Sequence, residues 1–163
     1  MPGYFPPPRP LQAVDCEPAR ALVWGVLGVT PYVDRIMELL EAASRGDPET
    51  RALVIERDAT VVTLALFGPQ PGTRDTWRLH GVLLAPHVDS QDLGGAMIDA
   101  VVRDAARAGG RLLVAELPAD QALGRMLSLL RAMGFRQEAR IPHFYREDVA
   151  LLTLRRELAP PTD

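Results

Sequence analysis

Cysteine is nearly absent: Cys16 is the one thiol in 163 residues. A single thiol excludes an internal disulfide and a cysteine-rich zinc site. His80, His87 and His143 do not stand at ligand spacing, so no metal is expected. Lysine is missing altogether. A nucleotide P-loop, whose lysine must reach the terminal phosphates, is therefore excluded. A formal net charge of -3 leaves no electrostatic footprint for nucleic acid or an anionic membrane, and neither is expected as a partner. No apolar run is long enough to span a bilayer. The N-terminus "MPGYFPPPRPLQ" lacks the charged-then-apolar pattern of a secretory signal, which makes the cytoplasm the expected location.

What is present is the composition of a soluble globular protein, 47% hydrophobic and 24% charged. The length suits one domain over 1–163 with a real core. The prolines of residues 1–10 suggest an extended, loosely held arm. A short strand at 9–14 and a helix at 17–28 follow. The stretch "TPYVDRIMELLEAASRG" (30–46) reads as a second helix, capped by Thr30, with Val33, Ile36, Met37 and Leu40 on one face and Gly46 at its end. "RALVIER" (51–57) and "TVVTLALFG" (60–68), joined at Asp58–Ala59, predict a β-hairpin. "TWRLHGVLLA" (76–85) is a third long strand, stopped by Pro86.

After the next loop, Leu93, Met97, Ala100, Val101 and Ala105 recur at helical spacing up to Gly109–Gly110. "RLLVAEL" (111–117) is a buried-type strand, and 120–134 a helix with Asp120 as its cap. Strands at 135–141 and 149–158, separated by the loop "PHFYRED", close the chain. The order is strand, two helices, three strands, helix, strand, helix, two strands. It predicts a mixed α/β (α+β) sheet, antiparallel in front and strand–helix–strand in the centre.

The stretch "LLAPHVDSQDLGGAMIDAVV" (83–102) is a strand-to-helix turn with two glycines, a place where proteins hold phosphates, yet it has no cation and carries Asp89 and Asp92. A dinucleotide-binding G-x-G-x-x-G would need other spacing and an earlier position. Gln91-Asp92-Leu93-Gly94-Gly95-Ala96 does match Q/R-x-x-G-x-G/A, the coenzyme A pyrophosphate motif of GNAT acetyltransferases. Residues 50–158 resemble that superfamily in order: "LHGVLLAP", "QDLGGA", "LLRAMGF" against the family's Y-x-x-x-G-F, and a closing hairpin "ARIPHFYREDVALLTLRREL". The resemblance implies a mostly antiparallel sheet of six to seven strands flanked by about four helices. It also implies an acetyl-CoA-dependent N-acetyltransferase acting on the amine of a small molecule or a peptide, with a homodimer left open.

By the same resemblance, Val82, Leu83 and Leu84 would hold the pantetheine arm as an added strand. Gln91, Leu93, Gly94, Gly95 and Ala96 would hold the pyrophosphate. Backbone N–H groups at a helix start form a nest that needs no cation, and glycine lets them approach the ligand closely. The bland alternative is a plain helix start capped by Ser90 or Asp92, with the glycines serving close packing.

The reaction needs a base for the amine proton and a donor for the leaving thiolate. His80, with an ordinary pKa near ~6.5, and Glu116, a carboxylate in an apolar strand, are the base candidates. Strand alternation puts His80 on the side of Val82 and Leu84. Leu130 stands where the family carries tyrosine and has no proton to give. Tyr145, water, or nothing takes that role. His143 and Asp148 share the loop with Tyr145. Tyr32, Trp24 and the 25–30 hinge would cover the acceptor. The competing reading is a catalytically degenerate module that keeps the fold and binds acyl-CoA or a partner.

Overall fold

A computed structural model gives the structure of the protein and describes residues 4–160. Residues 1–3 of the expected arm lie outside them. The elements run β1 (Arg9–Pro10), α1 (Cys16–Leu27), α2 (Val33–Ser44), β2 (Arg51–Arg57), β3 (Thr60–Pro69), β4 (Thr76–Leu84), α3 (Ser90–Arg107), β5 (Leu112–Pro118), α4 (Gly124–Ala132), β6 (Arg136–Arg146) and β7 (Val149–Glu157). Short 3-10 turns at Ala13–Asp15 and Gln121–Leu123 lead into α1 and α4.

The strands form one seven-stranded sheet in the order β1-β2-β3-β4-β5-β7-β6. All neighbours are antiparallel except β4 and β5. The mixed, mostly antiparallel sheet with four helices is the architecture the element order predicts. Asp58 and Ala59 both take positive φ (52° and 60°), as a two-residue hairpin turn with the strand's right-handed twist requires. In β3 every residue from Val61 to Gly68 is buried, since α1 and α3 both pack against this strand and cover it from two sides. The helices present stripes at three- and four-residue spacing: Ala19, Leu22, Val23 and Leu27 on α1, Ile36, Leu39 and Leu40 on α2, Met97, Ile98, Val101 and Ala105 on α3.

Three expectations need correction. The strand expected at 9–14 is two residues long. Arg9 is drawn into a forked ion pair with Asp15 (2.6 and 2.9 Å) and a third bond to Glu56 (3.1 Å), and this bends the chain into the 3-10 turn. The arm is therefore pinned: Phe5 packs against the core under the Arg57 guanidinium, 5.5 Å from its ring centre. "PHFYRED" is mostly strand, because β7 supplies pairing up to Arg146↔Val149, and Pro142 is tolerated on an edge strand whose residues are all exposed.

Two features of β4 position the site. It pairs with β5 only from Thr76↔Leu112 to Leu79↔Ala115, and beyond that the two strands splay apart. A bulge against β3 changes the register from Leu66↔Gly81 to Phe67↔Leu79, leaving His80 as the extra residue.

Candidate active site

A cavity of about 280 Å³ opens at the splay. Leu27, Pro31, Tyr32, Arg35 and Ile36 wall it from α1, α2 and the turn between them. His80, Gly81 and Leu83 come from β4, Glu116, Leu117 and Pro118 from β5, Met126 from α4, and Tyr145 from β6. The three candidate catalytic residues, His80, Glu116 and Tyr145, thus share one mostly apolar chamber. The bulge alters the alternation, so His80 faces this chamber with Gly81 and Leu83 instead of sharing a side with Val82 and Leu84. His143 and Asp148 do not reach it; His143 Nδ1 donates to the carbonyl of Glu147. Tyr32 lines the chamber, whereas Trp24 is exposed outside it.

The electrostatics follow from burial and partners. His80 is pushed down from 6.5 to about 4, first by burial and then by the Arg78 and Arg35 charges. It is a neutral imidazole at pH 7 but a weaker base than an ordinary histidine. Glu116 accepts from Arg78 at 3.0 Å, and Arg78 also donates to Gln70 at 2.6 Å. The Tyr145 hydroxyl is pushed up by burial and by the nearby Glu116 charge, so it keeps its proton. Its ring stands edge-on to Tyr32 at 6.0 Å and to Phe144 at 5.0 Å. The Tyr32 hydroxyl donates to Asp120 Oδ2 at 2.7 Å; burial and this bond push the tyrosine up to about 12. Arg146 reaches the same oxygen at 3.1 Å. Asp120, which caps the next turn through Ala122 N–H (3.0 Å), therefore ties α2, the approach to α4 and β6 together.

The cap of the strand-to-helix turn differs from the Ser90 or Asp92 that the sequence offers. The cap is Asp89, whose Oδ1 accepts from the N–H groups of Gln91 (2.8 Å) and Asp92 (3.3 Å). The side chain of Ser90 lies outside the described residues. Asp92 turns toward the N-terminal arm, where it lines a groove with Pro6–Pro8, Leu93, Ala96 and Asp99. Gln91 faces the opposite way, into a cavity of about 520 Å³ between α3 and α4. The side chains of the motif thus point to different sides of the turn. Gln91 lines the cavity, Ala96 lies on the arm side, and Leu93 is core at 1% exposure. Gly94 is where the helices cross, since a Cβ there would sit 2.6 Å from Leu129 Cδ2. Gly95 has ordinary room, 3.6 Å from Met133 Sδ.

A cation does stand near the loop, on α4. Arg125 lines the same cavity as Gln91 and donates to the carbonyls of Val88 (3.0 Å) and Ala85 (3.4 Å). It was not legible in the loop because it lies 37 residues beyond Val88. Leu130 is buried at 1% exposure, so the position of the family's tyrosine is apolar core here. Among the described residues, no three His, Cys, Asp or Glu side chains stand close enough to hold a metal ion, and no helix is long and apolar enough to cross a membrane.

No protein-family model and no curated protein sequence matches this chain. Solved structures do. A Desulfovibrio desulfuricans protein assigned to the GNAT family of acetyltransferases superposes with a TM-score of 0.83 at 28% identity, over 93% of this chain and 98% of the other. A Salmonella typhimurium protein assigned as an acetyltransferase, solved with its cofactor acetyl-CoA, gives 0.73 at 20% identity, over 96% and 95%. An aminoglycoside 6'-N-acetyltransferase from Enterococcus faecium gives 0.77 at 14% identity, over 96% and 99%. The chain has the GNAT acetyltransferase fold, and its resemblance to that superfamily extends over nearly its whole length.

Proposed function

We propose that the protein is an N-acetyltransferase that moves an acetyl group from acetyl-CoA to the amine of a small molecule or peptide. The observation that carries this reading is the splay of β4 from β5, placed between the Gln91–Arg125 cavity and the chamber of Glu116, His80 and Tyr145. The donor set fits the cosubstrate: an open strand edge for an amide-bearing arm, and Arg125 with the start of α3 for an anion. Acetyl-CoA supplies an activated thioester.

This chain's residues do the rest. The apolar walls around Tyr32, Ile36 and Leu117 keep water away from the acceptor. Glu116 takes the proton the amine gives up as its nitrogen bonds to the acetyl carbon, and His80, held neutral, assists by hydrogen bonding. The C–S bond breaks, and the thiolate takes its proton from Tyr145 or water, since Leu130 has none to give. A second reading, an acyl-CoA-binding module without turnover, is favoured by the burial of Leu130.

Thermal denaturation with added acetyl-CoA tests the reading. A rise of several degrees at millimolar ligand is expected, and no shift at all rejects it. Thiol release over a panel of amines then separates enzyme from module: turnover supports the first, and binding without turnover the second.

A further inference from the structure

The backbone of β4 alternates in a way that the register makes explicit. Ala85 N–H donates to the Val62 carbonyl at 2.9 Å, and the pairing continues through Leu64↔Leu83 and Leu66↔Gly81. Those residues direct their N–H and C=O groups at β3. Val82 and Leu84, between them, direct theirs to the other edge. On that edge β5 has already diverged, its last partner on β4 being Leu79. Val82 N–H is thus a buried donor without a strand partner. What it has instead is the Met126 thioether, with Sδ at 3.4 Å.

We propose that Met126 is the gate of the splay and the residue that controls entry of the acyl donor. The inference rests on the acetyl-CoA reading above and adds to it a side chain that must leave before the donor can seat. A carbonyl laid along β4 would accept from Val82 N–H, and Met126 Sδ occupies that position. The space that Met126 lines together with Leu79, Ala115, Glu116 and Leu130 has no room even for a water molecule. With the sulfur in place, Val82 N–H is therefore closed to a ligand carbonyl.

The same residue is suited to leaving. A thioether is a weak hydrogen-bond acceptor, so a ligand carbonyl replaces it with a stronger contact. Methionine is unbranched and flexible, and Met126 already lines the 280 Å³ chamber beside it, which gives the side chain somewhere to turn. A branched side chain of similar size would fill the splay with fewer ways out.

The experiment is calorimetric titration of the full chain with coenzyme A, comparing wild type, Met126→Ala and Met126→Leu. Removing the gate is expected to tighten binding about threefold to tenfold, the range associated with one displaced weak contact. Met126→Leu is expected to bind at least about threefold more weakly than wild type on the same scale. Equal or weaker binding by a folded Met126→Ala overturns the gate while leaving the coenzyme A reading intact. Absence of binding by wild type and both variants rejects that reading, and the gate with it. Should Met126→Ala fail to fold, the wild type decides through its 13C-labelled methionine methyls. The Met126 signal, assigned by its loss in Met126→Leu, must shift on saturation with coenzyme A together with the Val82 amide. A methyl signal that stays in place overturns the proposal.

Discussion

His80 owes its chemistry to where it is buried. In the unfolded chain it titrates near 6.5, and in the fold near 4. The folded state therefore resists the proton that the unfolded state accepts, and the stability His80 contributes is complete above about pH 6.5. It is lost as pH falls from there toward 4. Denaturant titrations across that range are expected to show a loss of stability that His80→Gln reduces, with the two proteins parallel above pH 7. An identical slope in both would mean that His80 is not desolvated. If His80 itself took the amine proton, the acid limb of kcat/KM would lie near pH 4, well below an ordinary histidine. The candidate residues were legible because a polar side chain inside an apolar strand stands out, as Glu116 does in "LLVAEL". Their partners were not: nothing local in the sequence joins Glu116 to Arg78, 38 residues away.

At the scale of elements, the crossing of α3 and α4 separates two adjacent glycines that the motif treats alike. Gly94→Ala forces a methyl group into Leu129 and is expected to cost about 1–3 kcal/mol. Gly95→Ala meets only ordinary contact and removes a flexible residue from a helix, which is expected to gain about 0.5–1 kcal/mol. If the anion approaches the backbone at Gly95, the same variant binds coenzyme A several-fold more weakly while being more stable. Urea denaturation with ligand titration on each variant checks both statements; a Gly95→Ala protein with unchanged affinity would place the anion elsewhere. Periodicity located the helices and the buried strands, because the apolar stripe of a helix and the buried run of a strand are written in consecutive residues. It failed at "PHFYRED", where Pro142 and the polar residues read as loop. The partner that makes the segment a strand is β7, and pairing between strands leaves no local trace.

For the whole molecule, one carboxylate joins elements that stand far apart in the chain. Tyr32 from the start of α2 and Arg146 from the end of β6 both bond Asp120, and Tyr145 leans edge-on against Tyr32. Tyr32→Phe removes a bond to a charged acceptor and is expected to lower stability by about 1–2 kcal/mol. It should also speed amide hydrogen exchange at the β6–β7 hairpin more than in β2 or β3, because β6 packs on β7 and is otherwise exposed. Uniform exchange changes across the sheet would show that the Asp120 cluster does not tie the hairpin to α2.

The order of elements, the class of sheet, the glycine-bearing turn and the polar residues of apolar strands were determined by the sequence alone. Each depends on neighbours within a turn or two of the chain. Tertiary structure alone decided that Asp89 caps α3, that Arg125 stands beside Gln91, and that His80 loses basicity. It also set the thioether of Met126, 44 residues distant, on the open N–H of Val82. Charge, burial and hydrogen bonding act through space over a few ångströms, and only the folded chain brings residues so far apart in sequence within that range.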